Sequence, residues 1–375
     1  MPFARFLLLS SLFILLSSLF SSCQVGRFVA YNVADINDYK KFPSRPLERA
    51  DHAFEFYDDG RKLDSMKATV KGKKISFDEF QEKNKTVGFL IIRKDSILYE
   101  RYFKGYDRTK VVPSFSVAKS VISILIGCAI EDGYISSVDE SITTYIPELS
   151  ERGMDKVTIK HLLQMTSGIK FSESYINPFG HAAAYYYGRN LRKQIFKMKL
   201  KEEPGTKFHY KSGDTQVLGL LLERALKTKT ITDYLQEKIW TPLGMEYDAS
   251  WSIDRKENGL EKTFCCLNAV ALDFAKIGRL YLNDGNWNGR QIVPETWVRE
   301  SIRRDTSDGS AAHYQYQWWL VSDQGDYMAQ GILGQYVYIH PEKDLIIVRL
   351  GKNYSNVGWS NVFTSIASAF PDTEN

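Results

Sequence analysis

Two serine–lysine pairs could do nucleophilic chemistry: Ser116 with Lys119, and Ser167 with Lys170, each a serine three residues ahead of a lysine. A serine hydroxyl is a weak nucleophile on its own, and an amine held neutral beside it can take its proton. The spacing is a weak signal, since about one to three such pairs arise by chance in a chain of this composition. Ser167 and Lys170 straddle Gly168, where a helical pattern stops, so nothing holds both side chains on one face. Ser116 and Lys119 instead open a long apolar run, in which residues i and i+3 are helix neighbours. Unpaired N–H groups and the helix dipole place partial positive charge at such a first turn, and burial penalises an ammonium. Both effects make Lys119 easier to deprotonate. The competing readings are a simple helix cap for Ser116 and a solvated surface lysine, and the pair alone leaves them evenly matched.

A second block, Pro204-Gly205-Thr206-Lys207-Phe208-His209-Tyr210-Lys211-Ser212-Gly213-Asp214, precedes a helix-patterned run from Thr215 to Leu226. Other chemistries find no support. The six histidines show neither HExxH nor close-pair spacing, so zinc catalysis is not expected, and no metal or cofactor is. No G-x-S-x-G elbow, P-loop or G-x-G-x-x-G occurs. The net charge of +4 is spread along the chain, and its densest basic stretch, Lys67 to Lys74, reads as a solvated loop face, so no nucleic-acid partner is expected. His209 reads as a structural neighbour of Tyr210. Cys128, Cys265 and Cys266 show no paired framework and read as small buried apolar residues, with a strained bridge between the vicinal Cys265 and Cys266 in an oxidising compartment as the less favoured alternative.

The elements that must position these residues follow from periodicity. Val117, Val121, Ile124, Leu125 and Cys128 recur at helical steps, predicting a buried helix from Ser116 to about Asp132 that Gly133 ends. Ahead of it, the runs 87–93 and 97–103 flank Lys94-Asp95-Ser96 and predict a β-hairpin. Helices are predicted at 159–165, 215–226, 232–240 and 269–283, so the middle of the chain reads as mainly α. Near the end, 316–321, 327–329, 336–340 and 345–350 read as strands and 359–370 as a helix. Strands at both ends with helices between them predict one sheet from N- and C-terminal strands, an α/β (α+β) fold with an α-rich insertion.

Met1 to Ser22 carries Arg5 and then an apolar Leu- and Ser-rich run of signal-peptide length. Leu19-Phe20-Ser21-Ser22-Cys23 resembles a lipobox, which implies cleavage and lipidation at Cys23, export, and a periplasmic, membrane-anchored bacterial lipoprotein. An uncleaved anchor helix is the alternative. Residues 23–85, with Pro43 and Pro46 and no clear period, read as a tether and irregular lead-in, and 86–371 as the domain that carries both serine–lysine pairs.

Ser116-Val117-Ala118-Lys119 together with Tyr210-Lys211-Ser212 resembles the superfamily of class C-type β-lactamases, penicillin-binding proteins and carboxylesterases. The likeness extends from about Val87 to Phe370 and takes in His161-Leu162-Leu163-Gln164-Met165-Thr166-Ser167-Gly168. It implies a β-lactamase/transpeptidase-like fold, an antiparallel sheet flanked by helices, with Ser116 as nucleophile, Lys119 as base and Tyr210 relaying a proton. It further implies Ser212 and Gly331 at the substrate, and an oxyanion hole from the Ser116 and Ile332 amides. The third motif reads Gln330-Gly331-Ile332 where penicillin-recognising members carry Lys-Thr-Gly to hold a carboxylate. That departure, with Phe171-Ser172-Glu173-Ser174-Tyr175, is more similar to the 6-aminohexanoate-dimer hydrolase and esterase branch, where a tyrosine equivalent to Tyr175 helps bind substrate. A small-molecule ester or amide substrate cleaved through an acyl-enzyme is the resulting expectation. The rivals are a cell-wall peptidase or β-lactamase and an inactive binding lipoprotein.

Overall fold

Side chains of the strand Thr86–Arg93 (β1) alternate between two apolar cores, Leu90 and Ile92 entering one, Phe89 and Ile91 the other. A strand with two apolar faces must be covered on both sides, and a layered fold follows. The computed structural model describes residues 24–31, 34–58, 60, 62–70 and 72–373. Residues 1–22, read from the sequence as a signal segment, and Cys23 lie outside the described residues.

β1 forms the expected hairpin with Ser96–Tyr102 (β2). Five strands from the chain's end complete the sheet: Tyr314–Gln315 (β3), Trp318–Leu320 (β4), Tyr327–Gly331 (β5), Gln335–His340 (β6) and Leu345–Gly351 (β7). The order is β3-β4-β5-β6-β7-β1-β2 with every neighbour antiparallel, so N-terminal and C-terminal strands meet at β7–β1. One face packs on the helices Val117–Glu131 (α1) and Ala271–Leu282 (here called α3, after α2 at Ser212–Leu226) through Val337, Ile339, Ile346 and Val348. The opposite face packs Tyr338 and Ile347 on Phe77, of the helix Phe77–Lys83, and on Trp359 and Phe363 of Trp359–Ala367 (α4). Thirteen of the fifteen residues of α1 are buried, as its nearly continuous apolar sequence requires.

Three expectations need correction. The stretches read as irregular lead-in and as a mainly helical middle contribute to a second antiparallel sheet, in which Ser44–Leu47, Ala249–Ser252, Leu267–Ala269 and Val112–Pro113 pair in that order. Strands of two to four residues are too short to show alternation, and partners such as Ser44 and Ser252 are brought together by the fold alone. The basic stretch likewise forms a β-hairpin, Lys67–Val70 with Lys73–Ser76, in which Lys67, Lys73 and Lys74 are exposed as expected. Cys265 and Cys266, expected as separate apolar residues, are joined in a disulfide, because the left-handed backbone at Cys266 (φ 70°) turns adjacent side chains together. Cys128 is free and buried.

Candidate active site

The short strand Val112–Pro113 delivers the chain to a tight turn in which Phe115 has φ 45°, and α1 begins immediately after Ser116. Positive φ at a bulky residue is costly and persists where the surroundings enforce it, as functional turns do. Ser116 makes no side-chain capping bond to α1, and Lys119 is 1% exposed, so the cap and surface-lysine readings both fail.

Lys119 Nζ lies 3.0 Å from Ser116 Oγ, 3.1 Å from Ser212 Oγ and 2.8 Å from the Phe264 carbonyl oxygen. Burial drives its pKa down to about 8, with the Glu173 carboxylate pulling the other way. Two of the three contacts have a fixed sense. The Phe264 carbonyl can only accept, and the Ser212 hydroxyl spends its proton on Glu173 Oε1 at 2.5 Å, so it too accepts from Lys119. A neutral amine has two N–H donors and one lone pair. With both donors committed, the lone pair of neutral Lys119 faces the Ser116 hydroxyl.

Ser212 is the first residue of α2, and its amide donates to Glu173 Oε2 at 2.8 Å, placing a carboxylate on the helix N-terminus. Glu173 Oε1 also accepts from the Tyr175 hydroxyl at 2.5 Å. Tyr175 is 42% exposed, while desolvation and the Glu173 charge hold its hydroxyl protonated far above the usual range. Burial and the Glu173 charge raise the Tyr210 pKa strongly, with neighbouring Ser116 acting in the other direction. The Tyr210 ring centroid is 5.3 Å from Lys119 Nζ. Five residues singled out from the sequence, Ser116, Lys119, Tyr175, Tyr210 and Ser212, thus form one cluster. Glu173 is the member that sequence reasoning missed. Its signal lay inside the Phe171–Tyr175 segment, as a carboxylate two residues before the tyrosine.

The second serine–lysine pair is not brought together as a unit: Ser167 is buried and Lys170 exposed. Ser167 donates to Asp214 Oδ1 at 2.7 Å and accepts from Lys211 Nζ at 2.9 Å, beneath the Tyr210–Ser212 segment. Burial pushes the Asp214 carboxyl up to about 6 against the pull of Lys211. His209 is partly exposed, 3.3 Å from Glu202. A cavity of about 160 Å³ lies beside Tyr210, lined by Ile169, Phe171, Lys201 and His209 among others.

At Gly331 the strand β5 approaches the nucleophile turn so closely that a Cβ would lie 2.5 Å from the Ser114 oxygen and 3.0 Å from the Ser116 nitrogen. Ile332 follows at the start of a single 3₁₀ turn. The amides of Ser116 and Ile332 therefore sit on adjoining segments. Among the described residues, no cluster of three or more His, Cys, Asp or Glu is placed to hold a metal ion, and no helix is long and apolar enough to cross a membrane.

A mixed α/β fold with a buried Ser–Lys–Tyr cluster between sheet and helices defines a β-lactamase-type serine hydrolase. Comparison with known proteins agrees: the family described as Beta-lactamase matches residues 75–358, and the chain belongs to it. It is 27% identical over 290 residues to the 6-aminohexanoate-dimer hydrolase of Paenarthrobacter ureafaciens, covering 72% of this chain and 73% of that protein. Among solved structures, a candidate 6-aminohexanoate-dimer hydrolase from Bacillus anthracis superposes with a TM-score of 0.79 at 24% identity, over 92% of this chain and 96% of that one. A penicillin-binding protein from Bacillus halodurans gives 0.63 at 18% identity, over 78% and 98%. A family VIII carboxylesterase gives 0.57 at 15%, over 74% and 89%.

Proposed function

We propose that this hydrolase cleaves a small-molecule ester or amide through an acyl-enzyme on Ser116. The observation that carries the reading is the hydrogen-bond sense around Lys119, which leaves Ser116 as the one contact whose proton can move to the amine. Neutral Lys119 takes the Ser116 proton as Oγ attacks the carbonyl carbon. The oxyanion is held by the amides of Ser116 and Ile332, each such donor typically worth about 3–4 kcal/mol in the transition state. Tyr210, beside Ser116, relays the proton that Lys119 has taken to the leaving alkoxide or amine, so the lysine is neutral again when the same pair activates the water that releases the acyl group. Tyr175, Ser212 and Gly331 line the substrate side.

The relatives include an amide hydrolase and a carboxylesterase, and β5 carries Gln330-Gly331-Ile332 with no lysine to hold a carboxylate. Both features favour ester and amide substrates over β-lactams. The reading also places the chain outside the cytoplasmic membrane, tethered through Cys23. Turnover of p-nitrophenyl esters and aminoacyl anilides, measured beside nitrocefin, tests the substrate class. Ester or anilide hydrolysis that Ser116→Ala abolishes is expected, and brisk nitrocefin turnover with neither of the others would reverse the preference. Radiolabelled palmitate on wild type but not on Cys23→Ser tests the anchor.

A further inference from the structure

Cys265 and Cys266 are 3% and 2% exposed and joined to each other. Two carbonyls that touch the active site bracket them on the chain. One residue before, the Phe264 oxygen accepts from Lys119 at 2.8 Å. One residue after, the Leu267 oxygen accepts from the Ser114 amide at 2.7 Å, two residues ahead of Ser116.

Both flanks are pinned. Thr263 donates from its amide to Gln216 and from its hydroxyl to the Thr215 carbonyl, both on α2. The Trp251 indole donates to the Lys262 and Cys265 carbonyls, and the Ser252 amide donates to the Cys266 carbonyl. Between these anchors the chain turns at Cys266 with φ 70°, a conformation that a side-chain-bearing residue resists. The disulfide spans the one peptide that makes this turn. A bridge between neighbours closes almost no loop, so it adds little to global stability through chain entropy, and its effect is local.

We propose that the Cys265–Cys266 disulfide is a positioning element of the active site, holding the Phe264 carbonyl and ring on Lys119 so that Ser116 acylates rapidly only while the bridge is intact. The inference rests on the reading of Lys119 as base. A small dithiol would reverse the state by exchange. Its thiolate attacks one bridge sulfur, the mixed disulfide forms, and its second thiol displaces the enzyme's sulfur. Two electrons and two protons pass to the protein, leaving two cysteine thiols and a cyclic disulfide of the reagent. With the turn released, Phe264, whose ring lies 5.7 Å from Lys119 Nζ, withdraws and water reaches the amine. Burial is what depresses Lys119, so hydration raises its pKa, and the Glu173 charge facing it acts in the same direction, with Tyr210 remaining protonated on the other side.

The test compares wild type before and after dithiol treatment with a Cys265→Ala/Cys266→Ala double variant, reading the rate of fluorophosphonate attachment from pH 6 to 10. Thiols are titrated in denaturant and folding is checked by near-ultraviolet circular dichroism. Reduction should expose two additional thiols. Reduced wild type and the double variant should label about tenfold more slowly or worse at pH 7.5, as small misplacements of catalytic groups do. Their acid limb should move to higher pH, and reoxidation should restore wild type alone. Unchanged rate and acid limb after reduction, or no additional thiols, would overturn the inference. Should the double variant lose its fold, the folded reduced and reoxidised wild type decide. If oxidised wild type fails to label, or Ser116→Ala labels equally, the nucleophile assignment itself falls, an outcome that the thiol count keeps distinct.

Discussion

The most demanding consequence of the site is the pH at which Ser116 becomes reactive. Lys119 acts as a base only when neutral, and burial brings its pKa to about 8. At pH 7 about 9% of such a lysine is neutral, against about 0.03% for one at the ordinary value near 10.5, a gain of roughly 300-fold or ~3.4 kcal/mol. The acylation rate constant, followed as fluorophosphonate attachment under pseudo-first-order conditions, should rise tenfold per pH unit below about 8 and level off above it. Glu173→Gln removes the charge that favours the ammonium, so its inflection should lie below that of wild type. Lys119→Arg, always protonated, should not label at a measurable rate. An inflection near 10.5, a flat profile, or labelling of Lys119→Arg at the wild-type rate would refute the assignment of Lys119 as base.

Gly331→Ala sets a Cβ against two backbone atoms that cannot yield. It should lower kcat by about 10²–10³ through the lost oxyanion geometry, seen in steady-state ester hydrolysis of folded protein. Tyr210→Phe should lower turnover by about 10²–10⁴ while leaving folding intact, and amides, whose amine leaving group needs the proton, should suffer more than activated esters. Lys119 also links stability to pH. Its folded value lies below its unfolded one, so between about 8 and 10.5 the unfolded chain binds more protons and this group makes the fold more stable as pH rises. Thermal melts of wild type minus Lys119→Met should show that upward slope, and a difference independent of pH would contradict it.

Much of this arrangement was legible in the sequence because its signals are local. α1 declares itself through apolar residues at helical steps, and its burial follows from having no polar face. The β6–β7 hairpin and the β1–β2 hairpin show in runs long enough to alternate. The Ser116–Lys119 spacing, the Tyr210–Ser212 block and the Phe171–Tyr175 segment named five members of the cluster without showing that they meet. What stayed hidden depends on distant pairing. The strand Leu267–Ala269 has too few residues to carry a pattern, yet it carries the carbonyl that fixes the nucleophile turn. Glu173 stands in a segment whose resemblance singles out only its tyrosine, and its importance comes from meeting Ser212 across the fold. The Phe264 carbonyl is a backbone group that no side-chain motif can announce. Ser167 passed for half of a chance pair and proved to be the buried partner of Lys211 and Asp214.

The claim on which everything else depends is that Ser116 carries the acyl group. Wild-type protein treated with a fluorophosphonate, digested and sequenced by tandem mass spectrometry should carry the phosphonyl mass on Ser116 alone, with Ser116→Ala unmodified and still folded. A modification on any other residue, or folded wild-type protein that stays unmodified, would contradict it.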